Sequence, residues 1–133
     1  MKRAVIILVA ILVLVALAGV AMQQLSGRPI SADLSLVGQG QPALVMAFEN
    51  YSPASMDAMD QINRVRPDYE AQLHFLVADL GTPHGSEFAA RFELVNGTAV
   101  LLDGAGESVR MYPLMEGADG LRRALDRDLA ALR

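Results

Sequence analysis

Apolar residues fill 18 of the 19 positions from Ala4 to Met22, and none of the 19 is charged. As a helix this run rises about 1.5 Å per residue and reaches roughly 28 Å, close to the ~30 Å hydrocarbon thickness of a bilayer. Lys2 and Arg3 precede it, and Gln23 and Gln24 follow it. Basic residues ahead of a span favour a cytoplasmic N-terminus, which sends the rest of the chain across the membrane. Two fates fit the pattern. One is an uncleaved single-pass anchor formed by residues 1–22. The other is a cleaved secretory signal, for which Ala16-Leu17-Ala18 and Gly19-Val20-Ala21 offer small-x-small sites. The apolar run exceeds the ~7–15 residues usual for a cleaved signal, so the anchor is the preferred expectation.

Residues 23–41 are polar and rich in Gly and Ser, and read as a linker. Within it Leu34, Leu36 and Val37 suggest a short edge strand. The domain is expected over residues 42–133. Pro42 to Glu49 is a continuous apolar run, as in a strand buried on both faces. Ser52 then reads as a helix N-cap with Pro53 at the first helical position. Met56, Met59, Ile62 and Val65 lie three apart and predict one apolar helix face, which Pro67 ends. Leu73–Asp79 reads as a second buried strand. Gly81–Gly85 reads as a loop, and Ser86 as the cap of a short helix through Phe92. Thr98–Leu102 and Ser108–Leu114 flank the Asp103-Gly104-Ala105-Gly106 turn signal and predict a hairpin. Ala118, Leu121, Leu125, Leu129 and Leu132 line one face of a last helix. The order β-α-β-α-β-β-α implies a right-handed parallel crossover, a closing antiparallel hairpin and helices on both faces of one sheet.

Composition narrows the chemistry. The 133 residues include no cysteine, which excludes disulfides, thiolate metal sites and a lipid-modified cysteine anchor. Residues 24–133 carry nine arginines against 15 acidic residues, a net charge of −6. Such a domain repels phosphate backbones, so no nucleic-acid partner is expected.

The element order, together with local residues, resembles the thioredoxin-like superfamily. Pro42-Ala43-Leu44-Val45-Met46-Ala47-Phe48-Glu49-Asn50-Tyr51-Ser52-Pro53-Ala54-Ser55 is similar to that family's strand running into its redox loop. Asp79, Ala90-Arg91-Phe92 and Val100-Leu101-Leu102-Asp103-Gly104 resemble later landmarks in the same order. The resemblance covers residues 42–133 and implies a three-layer α/β sandwich with a mixed central sheet, preceded by one transmembrane helix. It also implies that Ser52-Pro53-Ala54-Ser55 stands where the family carries C-x-x-C, with Tyr51 at the aromatic position before it. Met46 then takes the place of a buried acid, and Gly97-Thr98 the place of the family's cis-proline. A serine hydroxyl is a much weaker nucleophile than a thiolate and forms no mixed disulfide. The implied protein is a non-redox, degenerate member with no cofactor. Its implied place is the bacterial inner membrane, N-terminus in the cytoplasm and domain in the periplasm, or secreted to the periplasm if the signal is cleaved.

Four candidate chemistries follow. Glu49, Asn50, Tyr51, Gly97 and Thr98 are the candidate partner-binding residues, because the loops they occupy form a peptide-holding groove in the resembled fold. An exposed tyrosine there is a typical anchor for an envelope protein partner, against the alternative of a half-buried ring shielding the strand end. Ser52 and Ser55 could act as nucleophiles at a helix N-terminus, against a cap and a space-filling residue; neither His74 nor His84 lies near them in sequence. Met56, Met59, Met111 and Met115 invite a copper(I) carrier, against core packing. The anchor helix itself could make the main contact of a structural subunit, through Ala16, Ala18 and Gly19. Arg122, Arg123 and Arg127 interleave with Asp119, Asp126 and Asp128 and read as a solvated, ion-paired helix face.

Overall fold

A computed structural model describes residues 1–26 and 29–133; Gly27 and Arg28 of the expected linker lie outside the described residues. Helix α1 spans Lys2–Ser26 and so continues past residue 22. Its Lys2–Ala21 window has a mean hydropathy of 3.2 and is buried nowhere in the protein. A helix that is apolar all round and packs against nothing is matched by length and composition to a bilayer, though a signal sequence meets the same test.

The domain is built from β1 (Ala43–Phe48), α2 (Pro53–Val65), β2 (His74–Asp79), α3 (Pro83–Arg91), β3 (Thr98–Leu102), β4 (Ser108–Pro113) and α4 (Gly117–Ala131). The sheet order is β2-β1-β3-β4. β1 and β2 are parallel from Ala43↔His74 to Phe48↔Asp79, β3 is antiparallel to β1, and β4 is antiparallel to β3. This is the α/β architecture with a mixed central sheet that the element order implies.

Alternation along β1 decides the layers. Leu44 and Met46 join Ile62, Val65, Leu101, Leu121, Leu125 and Leu129 in a core under α2 and α4. Ala43, Val45 and Ala47 join Leu76, Phe88, Ala89, Val100 and Leu102 in a second core under α3. The buried face of α2 is Ser55, Ala58, Ile62 and Val65. The expected stripe through Met56 is therefore corrected: Met56 is 56% exposed, and Met59 only packs partly against the core. Small Ser55 and Ala58 let α2 approach the sheet where methionines would hold it off. At the end of α4, Leu132 falls outside the buried set.

Two further expectations change. The Leu34–Leu36 segment is one turn of 3-10 helix rather than an edge strand. Asp33 Oδ1 accepts the Ser35 N–H at 3.1 Å, a local side-chain bond that competes with an extended ladder. Leu34, Leu36 and Val37 instead cover the α3-side core. The sheet edge is extended three positions earlier, where Ser31 pairs parallel to Leu76 and its carbonyl accepts the Val77 N–H at 2.9 Å. Helix α3 begins at Pro83, within the expected loop, because Thr82 rather than Ser86 caps it and accepts the Gly85 N–H at 3.1 Å. Gly85 belongs to this start: a Cβ there would sit 2.0 Å from the Asp79 carbonyl oxygen, so only glycine lets α3 lie this close to β2.

A candidate binding face at one end of the sheet

β1 delivers the chain to a tight turn at its C-terminal end. The Ser52 N–H donates to the Glu49 carbonyl at 3.3 Å, closing residues Glu49-Asn50-Tyr51-Ser52 into a β-turn. Tyr51 occupies the third position with φ +63° and is 98% exposed. A positive φ costs a non-glycine residue about 1–2 kcal/mol, and here no burial of the ring offsets it. The ring stands in solvent, so the half-buried alternative does not hold.

Ser52 caps α2 through its own Oγ, with Pro53 in the first turn. Ser55 is completely buried, and its Oγ accepts the Glu49 N–H at 2.9 Å. Both hydroxyls converge on Asn96, a residue that the sequence pattern did not single out. The Ser55 hydroxyl donates to Asn96 Oδ1, and the Asn96 amide donates to Ser52 Oγ and, at 3.4 Å, to Glu49 Oε2. Asn96 thus ties the β1–α2 loop to the loop before β3. Its only signal in the chain is the Asn-Gly pair ahead of a strand, which marks a turn and not a contact 41 residues away.

Gly97 has φ +82° and faces Ala54, whose Cβ lies 3.7 Å from where a Gly97 Cβ would stand. Its peptide bonds are trans, and its carbonyl accepts the Leu114 N–H at 3.0 Å. Thr98 closes the loop on itself, donating to the Val95 carbonyl at 2.6 Å. Glu49, Asn50 and Tyr51 are exposed, and Asn96, Gly97 and Thr98 are half-buried beside them. Exposed Val95 adds an apolar residue to the same end of the sheet.

The other candidate chemistries are not assembled. Among the described residues, the partners of the two serine hydroxyls are Asn96 and backbone N–H groups, with no imidazole. His74 starts β2 at the opposite end of the sheet, level with Ala43. His84 lines a separate groove of about 430 Å³, between the Ala32–Val37 segment and α3, that none of the candidate residues lines. Two of the four methionines, Met59 and Met111, lie on opposite sides of the sheet. Tyr112 joins the α2–α4 core, so its strand neighbour Met111 projects to the other side of the sheet from Met59. Met46, in the place of the resembled buried acid, is fully buried in the α2–α4 core. Asp79 acts as a turn residue, its Oδ1 accepting the Gly81 N–H at 2.8 Å.

Charge on the last helix is less uniform than its pattern suggests. Arg122 pairs with Asp119 and Asp68 at the surface. Asp128, expected on a solvated face, is buried instead, where it accepts from the Tyr112 hydroxyl at 2.5 Å and pairs with Arg110 at 2.9 Å and Arg127 at 3.0 Å.

The comparison with solved structures decides the fold. An uncharacterized thioredoxin-like protein from Clostridium perfringens superposes with a TM-score of 0.64 at 16% identity, over 74% of this chain and 79% of that one. The chain has the thioredoxin fold. Trxlp from Edwardsiella tarda EIB202 aligns with a TM-score of 0.57 at 17% identity, over 66% of this chain and 84% of that one. A malaria-parasite thioredoxin-2, described as a component of that parasite's protein secretion machinery, aligns at 0.57 and 14% identity, over 65% and 82% of the two chains. No protein-family model matches the sequence, and no curated protein matches it. At these identities the likeness to the thioredoxin fold concerns architecture, and function has to be argued from the site.

Proposed function

We propose that this chain is a membrane-tethered, non-redox thioredoxin-like domain that holds a protein partner, as an adaptor or assembly factor, on the face formed by Glu49–Ser55 and Asn96–Thr98. The observation that carries this is Tyr51, fully exposed on a strained turn whose base is pinned by the Ser52–Ser55–Asn96 network. Strain kept at an exposed aromatic is a feature of binding sites. The chain has no thiol, so the chemistry of a C-x-x-C is not open to it, and the serines at those positions serve as a cap and a buried strut. Lys2 and Arg3, the first residues of α1, precede its apolar run and support a cytoplasmic N-terminus and a periplasmic domain. The test is photo-crosslinking in cells, with a crosslinking amino acid at position 51 and a control at exposed Arg123. A discrete adduct from position 51 alone is the expected result. Adducts from neither position, or equally from both, would remove the adaptor reading.

A further inference from the structure

The length and direction of the tether carry one step more. Helix α1 ends at Ser26, and Ile30 already packs on the α2–α4 core. Ser31 then pairs with Leu76 in the parallel sense, so the chain enters the domain running in the same direction as β1 and β2. It arrives from the end of the sheet that holds Ala43, His74 and the Asp103–Gly106 turn, which follows the Ala43↔Leu102 pair. The Tyr51–Asn96 face lies at the other end, beyond Phe48 and Asp79. Leu76 is level with Val45, and three strand residues at about 3.3 Å each put Phe48 roughly 10 Å further along, with the turn beyond it.

The tether is short against this distance. From Ala21 at the edge of the apolar window, five helical residues add roughly 7.5 Å. Four steps from Ser26 to Ile30 add at most about 14 Å fully extended. Headgroups occupy about 5–8 Å of that span. A domain standing on its Tyr51 end would need the tether pulled nearly straight, whereas the opposite orientation leaves it slack.

We propose that this short parallel entry holds the Tyr51–Asn96 face on the side of the domain turned away from the membrane, so that its partner is a polypeptide segment in the aqueous compartment rather than a transmembrane helix or lipid headgroups. The inference rests on the anchored adaptor reading above. The cysteine-free chain suits its test, because single cysteines can be labelled in the full-length protein. Fluorophores on Val95→Cys, beside the face, and on Ala105→Cys, in the turn at the entry end, are compared in phosphatidylcholine vesicles whose lipid headgroups carry a nitroxide quencher. Quenching at position 105 is expected to exceed that at position 95 by about threefold or more. Equal quenching, or stronger quenching at position 95, overturns the proposal. A second chain with twenty Gly and Ser residues inserted after Ser26 is expected to lose the difference. A difference that survives the insertion also overturns it, because the tether would not be its cause. Crosslinks from position 51 that persist alongside equal quenching sink the orientation alone. Unequal quenching without crosslinks sinks the adaptor alone.

Discussion

Tyr51 separates stability from function more cleanly than any other residue at the face. Its ring buries nothing, and its backbone sits at φ +63°, a region that glycine occupies without strain. Tyr51→Gly is therefore expected to leave the urea midpoint unchanged or to raise stability by up to about 1 kcal/mol, while partner capture by a crosslinking amino acid at neighbouring, exposed Val95 disappears. A loss of stability would mean that the ring packs against something and is no free anchor. The position of Tyr51 was legible from the chain, since the apolar run ends just before it and Ser52-Pro53 opens a helix just after. Its exposure was not, because a single aromatic at a strand end fits either side of the surface. Asn96 was illegible for a different reason. Its bonds to Ser52 and Ser55 cross from one loop to another, and no local pattern encodes which side chains two loops will bring together.

Between elements, side-chain bonds do what periodicity could not foretell. The third position of the loop after β2 looked free, yet Thr82 caps α3 and makes Ser86 an ordinary exposed residue. Thr82→Ala is expected to cost about 1 kcal/mol, and Ser86→Ala close to nothing, in chemical denaturation. The reverse order would restore the later helix start. Helix α4 is fastened by two tyrosines: Tyr112 to buried Asp128, and Tyr69, just past the 3-10 turn Arg66–Asp68 that follows α2, to Asp126 at 2.6 Å. The hydrogen bond from Arg127 holds the Asp128 carboxyl below its ordinary range, helped by Tyr112 and Arg110 and opposed by burial. A lowered carboxylate contributes stability at neutral pH that is lost as pH falls through its folded value, below about pH 4. Burial, then the bond to Asp128, raises Tyr112; burial, then the bond to Asp126, raises Tyr69 to about 12. A raised tyrosine keeps its proton in the folded state after the unfolded chain ionises near pH 10, so stability falls as pH climbs toward about 12. The urea midpoint is expected to be flat between these limits and to decline on both sides, with Tyr69→Phe shallowing the alkaline decline. An unaltered alkaline limb in that variant would remove Tyr69 from this account.

At the scale of the whole molecule, the sequence pattern separates a membrane-length helix, a polar linker and an alternating α/β domain, and the order of strands and helices in the last of these is the order observed. Strong periodicity carried that part: β1 reads as buried because five of its six residues are. The polar stretch was harder, because scattered apolar residues in a Gly- and Ser-rich segment carry no period that tells a free linker from a packed one. Ile30 packs on one core, while Leu34, Leu36 and Val37 pack on the other. That cover matters because α3 shields its face of the sheet with only nine residues. Full burial of such a side chain is worth about 1.5–3 kcal/mol, so four partly buried ones together contribute on the order of 3–4 kcal/mol. For a domain of this size each kcal/mol shifts Tm by roughly 4–8 °C. A chain beginning at Pro29 is therefore expected to melt on the order of 15 °C above one beginning at Pro42, although residues 42–133 hold every strand and the three helices packed on the sheet. Equal melting temperatures, measured by circular dichroism on the two truncations, would return residues 30–37 to the role of a spacer. They would also loosen the tether, because Ile30 and Ser31 would then no longer fix where the domain begins above the membrane.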